Sequence, residues 1–144
     1  MTEKTFYTGR IKPLFDRIQG LEYSRIEVKG MARGVPDITY SFNGHHGWVE
    51  MKYYPRKIKP HYPFRLTREL TPTQRLWLTL RGAIGGHCWV FLGTSDYFFV
   101  FKHKNINKLF VNNSKITWGD VGAYASYVSP INDIDPVAVA GVLV

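Results

Sequence analysis

The sequence predicts an α+β or α/β chain, and three observations carry the prediction. The segments Asp37 to Tyr53 and Cys88 to Phe101 each read as two strands joined by a turn. The segment Thr71 to Arg81 has the start and stop signals of a helix. Hydrophobic residues make up 44% of 144 positions, enough for one compact core and too many for a disordered chain.

In chain order, a first helix is predicted from about Thr8 to Ile18, ending before Gly20, with Pro13 kinking it or shifting its start. A strand follows at Tyr23 to Val28. The next two strands, Asp37 to Phe42 and Gly47 to Tyr53, alternate with the period of two that sends successive side chains to opposite faces. Ile38, Tyr40 and Phe42 form one face of the first, leaving Asp37, Thr39 and Ser41 on the other. In the second, Val49 and Met51 oppose Trp48, Glu50 and Lys52. Asn43-Gly44-His45-His46-Gly47 is read as the connection, because Asn-Gly is a hairpin signal. His45 and His46 are then exposed tip residues, and without neighbouring Cys or carboxylate they make no zinc site.

Residues 53–70 contain Pro55, Pro60 and Pro63, which predict an extended, irregular excursion. Thr71 is the expected N-cap of the next helix and Pro72 its first residue, with the helix ending at Arg81 before Gly82. Leu76, Leu80 and Ala83 supply its apolar spacing, and Gln74 with Trp77 lies on a neighbouring strip. Cys88 to Gly93 and Tyr97 to Phe101 form a second hairpin across Thr94-Ser95-Asp96. The apolar tail, 130–144, is β-rich and uncharged at its end, and is read as finishing the core, forming an edge strand or joining two copies. No repeat or low-complexity linker divides the chain, so residues 1–144 are read as one domain.

The chemistry begins where the polar faces of the first hairpin coincide, bringing Asp37 near Glu50 and Lys52. Two carboxylates about 4 Å apart repel by about 4 kcal/mol at an effective dielectric of 20, which favours protonating one or binding a cation between them. A hard ion such as Mg²⁺ binds through one or two carboxylates and keeps waters that a phosphate can share or displace. Such an ion polarises a phosphoryl oxygen and activates water, while an amine placed like Lys52 orients that water or offsets developing negative charge. The pattern therefore suggests metal-assisted phosphodiester cleavage. The same residues also fit a hairpin whose polar face meets solvent, with Glu50 and Lys52 making an ion pair of negligible energy.

Nineteen Lys and Arg against eleven Asp and Glu give a formal charge of +8, which predicts a polyanionic partner. Nucleic acid fits best, because no basic amphipathic helix or lipidation motif supports a membrane surface. The excursion interleaves Arg56, Lys57, Lys59, Arg65 and Arg68 with Tyr53, Tyr54, Tyr62 and Phe64, which suits a DNA channel in which cations meet phosphates and exposed aromatics stack on bases. A solvated loop packed down by its aromatics is the alternative. Arg25 and Arg33, with Lys12, Arg17 and Lys29, are candidates for the opposite flank, and Lys102, His103, Lys104 and Lys108 form a second basic patch. The single Cys88 lies among Trp89, Val90 and Phe91 and reads as a buried small hydrophobe in a reducing compartment. With no apolar signal core and no run near the roughly 18 residues of a membrane helix, a cytoplasmic location is expected, the host cytoplasm if the chain is phage-encoded.

The strings RGVPDIT, GWVEMKYY and LTPTQRLWLTLRGAIGGHCWVF resemble the PD-(D/E)XK nuclease superfamily, and within it the VRR-NUC branch and short phage resolvase-like nucleases. The resemblance covers about Ser24 to Val100 and implies a restriction-endonuclease-like core with a central mixed β-sheet flanked by helices. It implies that Asp37 and Glu50 bind Mg²⁺ or Mn²⁺, that the Met51 carbonyl joins them and that Lys52 positions the nucleophile. It gives Gln74, otherwise an ordinary helix-surface glutamine, a role at the site. Arg25-Ile26-Glu27 is similar to an Arg-x-Glu of the short phage proteins, which favours Glu27 for the first acidic position. The family often carries that acid on an N-terminal helix, where Asp16 competes. The implied activity is a DNA endonuclease acting on branched or junction DNA, with a homodimer as a further implication. The alternatives are a nuclease for single-stranded, flap or linear duplex DNA, and a noncatalytic nucleic-acid-binding protein on the same scaffold.

Overall fold

The computed structural model describes residues 1–26, 34–66, 70–111 and 115–144. Its centre is a six-stranded sheet whose spatial order is its chain order: β1 (Glu22–Arg25), β2 (Ile38–Phe42), β3 (His45–Tyr53), β4 (His87–Gly93), β5 (Tyr97–Lys102) and β6 (Tyr127–Pro130). Neighbouring strands are antiparallel except β3 and β4, which are parallel, so the sheet is mixed. A parallel pair needs a crossover. Here it is the excursion after β3 followed by α3 (Pro72–Ala83).

Both faces of the sheet are covered, giving an α+β architecture. One face, with Ile38, Tyr40, Val49, Met51 and Phe91, packs on the N-terminal helices α1 (Glu3–Phe6) and α2 (Lys12–Asp16) and on α6 (Pro136–Val142). The other, with Cys88, Val90, Leu92 and Phe101, packs on α3, on α4 (His103–Val111) and on α5 (Trp118–Val121). Double-sided burial explains why β4 and β5 read as continuous apolar runs rather than alternating ones.

The first helical segment starts at Glu3 rather than Thr8, because Thr2 and Thr5 form a reciprocal capping box. A π-helical turn, Tyr7–Ile11, links α1 to α2, with the Lys12 N–H reaching back five residues to the Tyr7 carbonyl. Pro13 has no N–H to give and its ring crowds the carbonyl four residues back, a misfit that the widened turn absorbs. In the first hairpin the turn is only Asn43-Gly44, both at positive φ (49° and 76°), a type I′ geometry. β3 therefore begins at His45, and His45 and His46 pair with Phe42 and Ser41 instead of forming a tip.

The sheet-facing side of α3 also differs from the predicted one. Leu76, Leu80 and Ala83 point to solvent, while Leu78 is buried and Gln74 and Trp77 face the sheet. The helix runs through Gly82, where a Cβ would lie 2.3 Å from the His103 imidazole. It stops at Gly85, whose φ is +96°, with Gly85 N–H on the Gly82 carbonyl and Gly86 N–H on the Arg81 carbonyl, a Schellman ending. The tail is helical rather than β. Asp135 caps α6 by accepting the N–H groups of Val137 and Ala138, Pro136 takes the first helical position, and Val139 and Leu143 finish the core.

Candidate functional site

The site lies where β2 ends and β3 continues. Ile38 is the last β2 residue in register, opposite Val49, so Asp37 lies one step beyond the ladder, opposite Glu50. Without a β2 partner, the Met51 N–H donates instead to Asp37 Oδ2 at 2.8 Å. The Asp37 carbonyl accepts the Ile26 N–H at 2.7 Å, which ties the loop to the end of β1. Strand alternation then sends Glu50 and Lys52 to the face covered by α3, where only 2% and 7% of their surfaces are exposed.

Lys52 Nζ lies 3.3 Å from Glu50 Oε1. Gln74 Nε2 donates to the same oxygen at 2.9 Å, while Gln74 Oε1 accepts the Thr71 N–H at 3.0 Å. One glutamine thus completes the capping box of α3 and orients the buried carboxylate. Burial pushes the Glu50 carboxyl up to about 8, the neighbouring Asp37 adds to the rise, and Lys52 opposes it. A carboxyl so raised is under-compensated by a single amine. It is therefore a place where an added cation restores the ionised form, and Asp37 and Glu50 supply hard oxygen donors for one. Among the described residues no three His, Cys, Asp or Glu side chains converge as a metal cluster, so such an ion would rest on the two carboxylates, backbone oxygen, water and phosphate.

The sequence reading missed Glu3. From the start of α1 this acid shares the electrostatic field of Lys52, Asp37 and Arg25, and its carboxyl is raised by burial and by Asp37 while Lys52 and Arg25 oppose the shift. The buried Phe6 anchors α1 beneath β4, where a Cβ on Gly93 would meet the Phe6 ring at 2.7 Å. The Thr2-to-Thr5 capping box is the signal that could have found this helix start.

The other predicted residues lie as follows. Glu27, Lys29, Arg33 and Arg68 fall outside the described residues. Asp16 is exposed, accepts from Tyr23 Oη at 2.6 Å and pairs with Lys12 at 3.0 Å, and these hydrogen bonds hold its carboxyl below the usual range. Its interactions are with these groups and not with Asp37, Glu50 or Lys52. Arg25 stacks on the Tyr7 ring at 4.5 Å, and its charge opposes the rise of the Glu3 carboxyl. Arg56, Lys57, Lys59 and Arg65 are exposed on the excursion, and Lys102 is half-buried near His87. The excursion aromatics are mostly core: Tyr54 and Phe64 pack on Trp118 and Tyr53 on Phe6, leaving Tyr62 exposed with Lys59 5.9 Å from its ring. Cys88 is buried as expected, its thiol pushed up to about 11 by burial.

No family model and no curated protein matches the sequence. Among solved structures, the chain is similar to Hjc of Archaeoglobus fulgidus, a Holliday junction resolvase from an archaeal hyperthermophile. The two share 20% identity, with a TM-score of 0.47 over 68% of this chain and 78% of that one. Among the described residues no helix is long and apolar enough to cross a membrane.

Proposed function

We propose that this chain is a Mg²⁺- or Mn²⁺-dependent DNA endonuclease of the PD-(D/E)XK type, VRR-NUC-like in its motif order, acting on branched DNA in the cytoplasm. The observation that carries the reading is Glu50, a buried carboxyl facing Asp37, gripped by Gln74 and touched by Lys52. A fold that needed only a solvated hairpin would not bury an ionisable acid and an amine together, because removing an ion from water costs roughly several kcal/mol.

Asp37 and Glu50 would hold the cation. The Met51 carbonyl points to the same strand edge as the Met51 N–H, which reaches Asp37, so it is the backbone oxygen available to join them. When bound, the divalent ion supplies Lewis acidity to the scissile phosphate and its attacking water. Gln74 keeps one Glu50 oxygen occupied and thereby fixes the direction of the other. Lys52 presents its ammonium beside that carboxylate, where it orients the incoming water and offsets the charge that builds on the phosphoryl oxygens. Glu3 adds a third carboxylate's field from the helix side without joining the two carboxylates as a ligand. In the overall reaction water adds to phosphorus, one P–O ester bond breaks, and the proton of the water passes to solvent or to the leaving oxygen.

Branched DNA is the first substrate to test because the motif order resembles junction-resolving nucleases, and a homodimer presenting one site to each strand belongs to the same reading. The test is a cleavage panel of four-way junction, flap, nicked duplex and single-stranded DNA with Mg²⁺ or Mn²⁺, and light scattering with and without junction. Cleavage that is lost in Asp37→Ala and Lys52→Ala is expected. Equal cleavage by these variants, or none by the wild type in either metal, would overturn the assignment.

A further inference from the structure

A second cationic feature stands beside the hydrolytic centre, toward the β2–β3 turn. Strand alternation puts His46, Trp48, Glu50 and Lys52 in one row, about 7 Å between successive members. α3 runs along this row, so that Gln74 meets Glu50 while Trp77 and Arg81 meet Trp48. The Arg81 guanidinium carbon lies 4.7 Å from the Trp77 ring centre and 5.1 Å from that of Trp48. The two indoles meet edge to face at 5.6 Å, and His46 stands edge-on to Trp48 at 4.7 Å.

This arrangement positions a cation without consuming it. Stacking on indoles fixes the guanidinium plane without using its N–H fork. Among the described residues no carboxylate pairs with Arg81. Its residue is exposed, and it borders a groove of about 390 Å³ that His45, His46 and His87 also line. The geometry is built into the backbone at Gly86, where a Cβ would come within 2.9 Å of Arg81 Cγ and 3.1 Å of Trp48.

We infer that this groove is a strand-binding subsite, in which Arg81 takes a backbone phosphate of the DNA and Trp48 packs against an adjoining base. The occupant follows from charge and shape: a guanidinium fork with no carboxylate partner among the described residues matches a phosphate, and the half-buried Trp48 beside it matches an unpaired base. A strand lying in the groove continues along the β3 row toward Glu50. The inference rests on the nucleic-acid reading of that site.

The test is fluorescence anisotropy of short labelled single-stranded and duplex DNA in EDTA, where hydrolysis does not intervene, over a range of salt concentrations. Arg81→Ala is expected to weaken single-strand binding about tenfold and to lower the slope of log K against log salt by about 0.7. Arg81→Lys is expected to restore the slope and only part of the affinity, because an ammonium has neither the fork nor the stacking plane. Arg81→Ala with wild-type affinity and slope on both DNAs would overturn the subsite. A wild type that binds with this slope yet cleaves nothing in Mg²⁺ or Mn²⁺ would instead remove the hydrolytic reading and leave the groove standing.

Discussion

Glu50→Gln is expected to stabilise the metal-free protein above neutral pH, although it removes a hydrolytic carboxylate. Glu50 is 2% exposed, and its carboxyl titrates near 8 in the folded chain against 4.5 as an ordinary glutamate. Between those values the native state holds a proton that the unfolded state has released. Stability then falls as pH rises, by at most about 1.4 kcal/mol per pH unit. Across the whole window this would amount to about 5 kcal/mol, an upper figure that local relaxation and water entry reduce to about 1–3 kcal/mol. Glutamine keeps an oxygen for Gln74 Nε2 and Lys52 Nζ and has no charge to desolvate. Urea unfolding in EDTA, followed by tryptophan fluorescence, should give similar midpoints for wild type and variant at pH 5. At pH 8.5 the variant should be the more stable. Mg²⁺ at pH 8.5 should then raise the wild-type midpoint and leave that of the variant in place, since binding to the native state alone adds stability by mass action. A wild type that keeps pace with the variant from pH 5 to 8.5 would refute the electrostatic account of the site.

Three further outcomes follow from particular contacts. Gln74→Ala removes both the Glu50 contact and half of the α3 capping box, and should cost about 1 kcal/mol by urea unfolding and about 10- to 100-fold in single-turnover cleavage. Glu3→Gln should lower cleavage about tenfold while changing stability by less than about 0.5 kcal/mol, because the Glu3 residue stays solvent-exposed on α1 despite the partial enclosure that raises its carboxyl; equal cleavage would detach α1 from the chemistry. Gly47→Ala would put a Cβ 2.4 Å from the Tyr40 ring, and should lower the melting temperature through a loss of about 1–3 kcal/mol.

The elements legible in the sequence are those whose signals are local. Period-two alternation correctly separated Ile38, Tyr40 and Phe42 from Asp37, Thr39 and Ser41, and put Glu50 and Lys52 on the face opposite Val49 and Met51. Thr71-Pro72 marked the start of α3 to the residue. The same signal, Asp135-Pro136, marked α6 and went unread, because the apolar run after it has the composition of a strand. Gly82 looked like a helix stop, but its missing side chain answers to His103, a contact made by tertiary packing that no local pattern contains. The exposed Leu76 and Leu80 misled for a similar reason. Their spacing mimics a core stripe, while the sheet is met through Gln74, Trp77 and Leu78, the residues that have partners there.

The end of β2 explains why these charges tolerate burial at all. Had β2 continued by regular pairing, a backbone carbonyl would take the Met51 N–H, and Asp37 would have no bond to hold it over Glu50. Stopping the strand at Ile38 substitutes a carboxylate for that carbonyl and delivers a second negative group to the one carboxyl that α3 has already enclosed. Each local choice, the capped helix, the ended strand and the enclosed amine, is stable by itself. Their combination leaves one carboxyl near 8 with Lys52 as its close cation among the described residues, a conflict that a packed core would relieve by substituting a neutral side chain. Departures of this kind concentrate at functional sites. Here the departure joins Asp37, Glu50, Lys52 and Gln74, while the opposite face of the same strands packs Ile38, Val49, Met51 and Phe91 into an apolar core.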